Sequence, residues 1–198
     1  QHGHIAAIGF DLYCRLLQHA VQELRESSGE PMAAIHRAQH AVATSAISGL
    51  GPSIDLPVSA YLPEEFMPES QLRLRFYRRM ARIDSEGEVE QLAQEMNDRF
   101  GRLVEPVTNL LYMLRVRALA TETGIRSVSA RDQVVALALP LPLTVAGAEQ
   151  LASRHPGLCV RGTRVWFPAA DDWRGTLLKL LQDLCSLTPQ RAQQLAVS

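Results

Sequence analysis

The sequence predicts an α+β fold: helices packed on a small mixed or antiparallel sheet, preceded by a helical arm. Two observations carry this. Apolar residues recur at helical spacing in some segments and alternate in others, and the two kinds of segment are grouped along the chain, not strictly alternating. A break at Gly49-Leu50-Gly51-Pro52-Ser53 divides an arm, 1–48, from a compact domain, 49–198.

In the arm, Ile5, Ile8, Leu12, Leu16, Leu17, Val21 and Leu24 fall on one helical face, and Ser27-Ser28-Gly29 ends that helix. An alanine-rich helical stretch follows over Met32–Ser48. In the domain, Ile54–Leu62 alternates like a strand and is stopped by Pro63. Three helices come next, at Ser70–Ile83, Ser85–Phe100 and Pro106–Thr123. The second opens on Ser85-Glu86-Gly87-Glu88, a capping box that satisfies orphan amides at a helix start. Gly101 closes it, and Pro106 suits the first turn of the third. Ile125–Leu139 reads as two strands turning around Ala130-Arg131-Asp132. Val145–His155 is a helix closed by Pro156-Gly157. Cys159–Phe167 is a hairpin turning near Gly162, and Asp171–Leu187 is a final helix, with a last turn or two after Thr188-Pro189.

At 198 residues the chain buries roughly 70% of its unfolded surface without a metal or disulfide staple. Hydrophobic residues make up 46% and charged ones 21%, which excludes a largely disordered chain. The formal net charge of −1 excludes a global field that would draw the molecule onto nucleic acid or an anionic membrane. Cys14, Cys159 and Cys185 form no C-x-x-C pair, so neither a zinc ribbon nor a disulfide framework is expected, and the cytoplasm is the expected compartment. No apolar run reaches the roughly 18 residues of a membrane span, and no leader pattern is present. Gln1 stands where a methionine would start, so a piece of a longer chain is expected.

The glycines assemble no phosphate-binding loop, and there is neither a G-x-S-x-G elbow nor an H-E-x-x-H pair. No catalytic residue, cofactor or metal is therefore expected. His36 and His40 stand four apart and would share a helix face, but a third ligand is lacking; two surface histidines explain them as well. His2 and His4 sit at the chain start. Five arginines crowd 73–82, and Arg75, Arg78, Arg79 and Arg82 form one basic stripe beside the apolar stripe of Leu72, Phe76, Met80 and Ile83. The stripe is either a phosphate-contacting face or a solvated face neutralised by Asp84, Glu86, Glu88 and Glu90. In the next helix Val89, Leu92, Ala93, Met96 and Phe100 face inward. Asp98 then points away from that face and Glu95 lies on its flank, free for a partner or for an i, i+4 pair with Arg99.

Two stretches resemble the bacterial transcription-repair coupling factor family. Gly3-His4-Ile5-Ala6-Ala7-Ile8-Gly9-Phe10-Asp11-Leu12-Tyr13 is similar to the end of that family's translocation motif. Leu56-Pro57-Val58-Ser59-Ala60-Tyr61-Leu62-Pro63, Arg75-Phe76-Tyr77-Arg78-Arg79 and Asp98-Arg99-Phe100-Gly101 resemble its carboxy-terminal domain, and Leu114-Arg115 through Gly124-Ile125-Arg126 continue the likeness.

The resemblance implies a parent that is an ATP-dependent DNA translocase, which displaces stalled RNA polymerase and recruits the excision-repair damage-recognition ATPase. It implies that 49–198 is the noncatalytic regulatory domain. That domain packs on the amino-terminal repair-protein-binding module of the same chain, masks its surface and restrains the motor. Glu95 and Asp98 match the family's acidic interface positions, with Arg99 adjacent. The alternative is a nucleic-acid-binding appendage that uses Arg75, Arg78, Arg79 and Arg82.

Overall fold

The structure, a computed structural model, describes residues 51–195, with side chains to Leu187. The expected arm helices, His2, His4, His36, His40 and Cys14 lie outside the described residues. The elements run β1 (Ser53–Asp55), α1 (Ser70–Met80), α2 (Glu86–Phe100), α3 (Glu105–Glu122), β2 (Ser127–Arg131), β3 (Val134–Ala138), α4 (Val145–Arg154), β4 (Cys159–Arg161), β5 (Arg164–Pro168) and α5 (Trp173–Leu195). The strands form one mixed sheet in the order β1-β2-β3-β5-β4; β1 and β2 are parallel and every other pair is antiparallel.

Helix α3 is the middle of the domain. It buries Val107, Leu110, Leu111, Leu114 and Ala118 on one side and Val116 and Leu119 elsewhere around its circumference. A helix apolar nearly all round must be enclosed, and α2 and α5 pack on it. The sheet closes the same core with Val128, Val135, Leu137, Val165 and Phe167.

The caps form as the sequence dictates. Ser85 Oγ accepts the Glu88 N–H while Glu88 Oε2 accepts those of Ser85 and Asp84, and Gly101 ends α2 at φ +80°. Three boundaries differ from expectation. The β2–β3 turn is Asp132-Gln133, both at positive φ, as a two-residue hairpin of the primed type requires. Helix α5 runs past Pro189 to Leu195. The strand expected over Ile54–Leu62 pairs only at Ser53–Asp55.

The alternation beyond Asp55 is nonetheless real. Leu56, Val58, Ala60 and Leu62 are all buried, while Pro57, Ser59 and Tyr61 are exposed. Pro57 has no N–H to give a ladder, and the chain kinks there, the Val58 N–H donating back to the Leu56 carbonyl (2.8 Å). Helices then satisfy this strap. The Leu62 N–H donates to Tyr77 Oη at 2.8 Å, and Asn109 Nδ2 donates to the Ser59 carbonyl at 2.9 Å. Asn109, itself buried, also accepts from Arg174 Nη1 at 3.0 Å, so one side chain ties strap, α3 and α5 together.

Candidate functional site

Helices α1 and α2 lie side by side with apolar faces inward. Phe76, Tyr77 and Met80 of α1 and Val89, Leu92 and Met96 of α2 are buried. The interface candidates lie off those inward faces. Arg75, Arg78, Arg79, Arg82, Asp98 and Arg99 are exposed, and Glu95 is half-exposed.

Glu95 is not free. Its Oε2 accepts from Arg79 Nη1 of α1, and its Oε1 accepts from Arg99 Nη1 at 2.8 Å, one turn along α2. These two guanidinium bonds, Arg79's first, hold the Glu95 carboxyl below its usual range. Arg99 is fixed in turn, because its guanidinium lies over the rings of Phe76 (5.5 Å) and Phe100 (5.3 Å). Phe100 meets Phe66 and Phe76 at 5.6 Å each. The Arg-Phe-Gly end of α2 is thus a packed corner. Asp98 makes no ion pair among the described residues and is the ridge's unpaired carboxylate on α2.

The depressed Glu95 carboxyl has a defined pH signature. A carboxyl whose folded pKa is lowered stabilises the fold above its unfolded value of about 4.5 and loses that contribution as pH falls through the folded value. Glu95→Gln is therefore expected to cost under about 1 kcal/mol at neutral pH, the scale of a solvent-screened pair. The gap should close as pH is lowered below 4.5. Urea unfolding of both chains across pH checks this, and a gap that widens in acid refutes the pairing.

The basic stripe is real, but three of the four acids expected to neutralise it, Glu86, Glu88 and Glu90, are engaged elsewhere, and Asp84 makes no ion pair among the described residues. Glu88 caps its own helix, which lowers its carboxyl pKa mainly through the Asp84 N–H. Glu86 and Glu90 pair with Arg115 of α3, at 2.8 and 3.8 Å. Arg73 turns aside to Glu64 and to the Met67 and Pro68 carbonyls. Arg79 is balanced by Glu95, whereas Arg75, Arg78 and Arg82 have no ion pair among the described residues. Pairing here is decided by which helix packs next, a relation that spacing along one helix does not carry.

Spacing along either helix does not point to the Arg79–Glu95 contact between them. The signal for the Arg99 stack was the adjoining Phe100, on the same corner as Phe76. Among the described residues no cluster of His, Cys, Asp or Glu is placed to hold a metal ion, and no helix is long and apolar enough to cross a membrane.

Comparison with known proteins agrees with this architecture. The TRCF domain family matches residues 56–144. A transcription-repair-coupling factor of Mycobacterium tuberculosis is 35% identical over 163 residues, which is 82% of this chain and 13% of that protein. The Escherichia coli factor is 33% identical over 133 residues, 67% of this chain and 10% of its own length. The chain therefore spans a small part of the length of these relatives. A crystal structure of the C-terminal domain of transcription-repair coupling factor superposes with a TM-score of 0.61 at 18% identity, covering 71% of this chain and 97% of that one. The chain belongs to the transcription-repair-coupling factor family and carries the fold of its carboxy-terminal domain.

Proposed function

We propose that this chain is the noncatalytic regulatory domain of a transcription-repair-coupling factor, a lid that masks the repair-protein-binding surface and restrains the motor. Residues 1–48 would be the end of the motor's translocation motif and a linking arm, and 49–198 the domain proper. The parent is an ATP-dependent DNA translocase of the cytoplasm that displaces stalled RNA polymerase and recruits nucleotide excision repair. ATP and DNA belong to motor domains outside this chain. Its direct partner is the amino-terminal module of the same parent, and through it the damage-recognition ATPase.

The observation that carries this reading is the unpaired, exposed Asp98 on a ridge whose backbone is locked from within. An exposed carboxylate adds little to its own domain's stability, yet at a closed interface its loss strands the opposing cation. Since Glu95 is already held by two arginines, Asp98 takes the larger share of a basic partner, with Glu95 and Arg99 shaping its surroundings.

In the full-length parent, Asp98→Ala is expected to raise affinity for the damage-recognition ATPase, without polymerase, by roughly 5–150-fold, the range of allosteric couplings. Glu95→Ala added to it should contribute less. Melting of the isolated chain should barely move. A resting affinity that stays unchanged rejects the lid at these positions, and collapse of the isolated chain makes the residues structural. The alternative, nucleic-acid contact through the stripe, draws its support from Arg75, Arg78 and Arg82, which no acid neutralises among the described residues.

A further inference from the structure

The sheet has a second face. Val128, Val135, Leu137, Val165 and Phe167 point to the core, so the residues between them point the other way. Trp166 stands on that second face, half-buried, and is not among the side chains packed on the core. Its ladder neighbours are Ala136 on β3 and Cys159 on β4, with Ser129 beyond Ala136. An indole among three such small neighbours is the largest group of its row.

In the adjoining row Arg164 faces Arg161 directly across the β5–β4 hairpin, and both are exposed. Like charges directly opposed across a ladder destabilise it. Neither has an acidic partner among the described residues. The same face treats another arginine differently: Arg131 gives two nitrogen donors to Asp55. The sheet thus neutralises one cation and leaves two together beside its aromatic group.

We propose that this face binds single-stranded nucleic acid, one base stacked on Trp166 and the adjacent backbone phosphates held by Arg161 and Arg164. An aromatic platform bordered by cations is the arrangement that single strands use, because every base offers a π-face while the phosphates supply charge. A duplex hides its bases in the stack and has no face to lend a lone indole on a sheet. An acidic peptide would answer the arginines but leave the indole unused. With a net charge of −1 the attraction is local and sensitive to salt. This site is separate from the α1–α2 ridge and stands whether or not the lid reading does.

Titration of the whole chain with a short oligothymidylate, followed by indole emission, tests the assignment. The chain has two tryptophans, and Trp173 packs against Tyr112 at 6.4 Å between ring centroids, so Trp166→Phe isolates the signal. Saturable quenching is expected, and it should vanish in Trp166→Phe. Followed by anisotropy of a labelled strand, Trp166→Leu should weaken binding about tenfold. Arg161→Glu with Arg164→Glu should remove measurable binding. Replacing both arginines by glutamine should flatten the slope of log affinity against log salt by about 1.4, the share of two phosphates. Thermal melting confirms that each variant is folded.

Four results would each overturn the proposal. The first is no quenching. The second is a duplex that binds as tightly as the strand. The third is polyglutamate that quenches equally, which would assign the face to an acidic protein segment. The fourth is loss of binding on charge reversal of Arg75, Arg78 and Arg82 but not of Arg161 and Arg164.

Discussion

Leu110→Ala is expected to destabilise the domain by about 2–5 kcal/mol and to lower its melting temperature by roughly 4–20 °C. Leu110 is wholly buried on α3, the helix enclosed by α2 and α5. Truncation removes the transfer free energy of the lost atoms and leaves a cavity. Collapse into it is resisted, because α3 is tied down on either side of Leu110: Asn109 bonds the Ser59 carbonyl and Arg174, and Arg117 Nη2 bonds the Met80 and Ile83 carbonyls at 2.6 and 3.0 Å. Calorimetry of the two chains checks the value. A shift of only a degree or so would mean that α3 is not the common wall of the core.

Tyr77→Phe is expected to cost about 1–3 kcal/mol although it deletes one oxygen and leaves the ring in place. The Tyr77 hydroxyl oxygen accepts the Leu62 N–H inside the protein, and without it a buried donor has lost its partner. Urea unfolding should show a lower midpoint with an unchanged slope, since the folded surface is the same. Tyr61→Phe is the matched control. Tyr61 is 46% exposed and should stay within about 0.5 kcal/mol. Equal effects of the two would show that Tyr77 does not anchor the strap.

What the sequence discloses here is local, and what it conceals is distant. The Ser85–Glu88 box, the Gly101 stop and the Gly162 turn are settled within a few residues, and each stands where the chain chemistry puts it. The apolar alternation of Leu56, Val58, Ala60 and Leu62 correctly marks a buried face, but period two reports which way side chains point, not whether the backbone finds a partner. The strap is consequently half strand and half loop. The same limit governs the candidate site. Helical phase places Asp98 and Glu95 outward, whereas the Arg79 clamp on Glu95 comes from another helix, sixteen residues back. The Arg115 pairing that draws Glu86 and Glu90 away from the arginine stripe is likewise fixed only when α3 packs. Asn109 gave no signal at all, since an isolated asparagine in an apolar helix does not announce a carbonyl fifty residues away.

The parallel pairing of β1 with β2 joins Ser53 to Ser127, more than seventy residues apart. On the ribosome the strap after β1 therefore emerges well before the strand that secures its start. At synthesis rates of about 5–20 residues per second, the interval is roughly 4–15 s. During that interval an extended apolar segment is open to pairing with any nascent neighbour. Pro57 and Pro63 stand inside and at the end of that segment, and neither can donate to an intruding strand. The residue that cuts β1 short in the finished fold is thus also a guard on the unfinished one, and the short strand is what that protection costs in sheet.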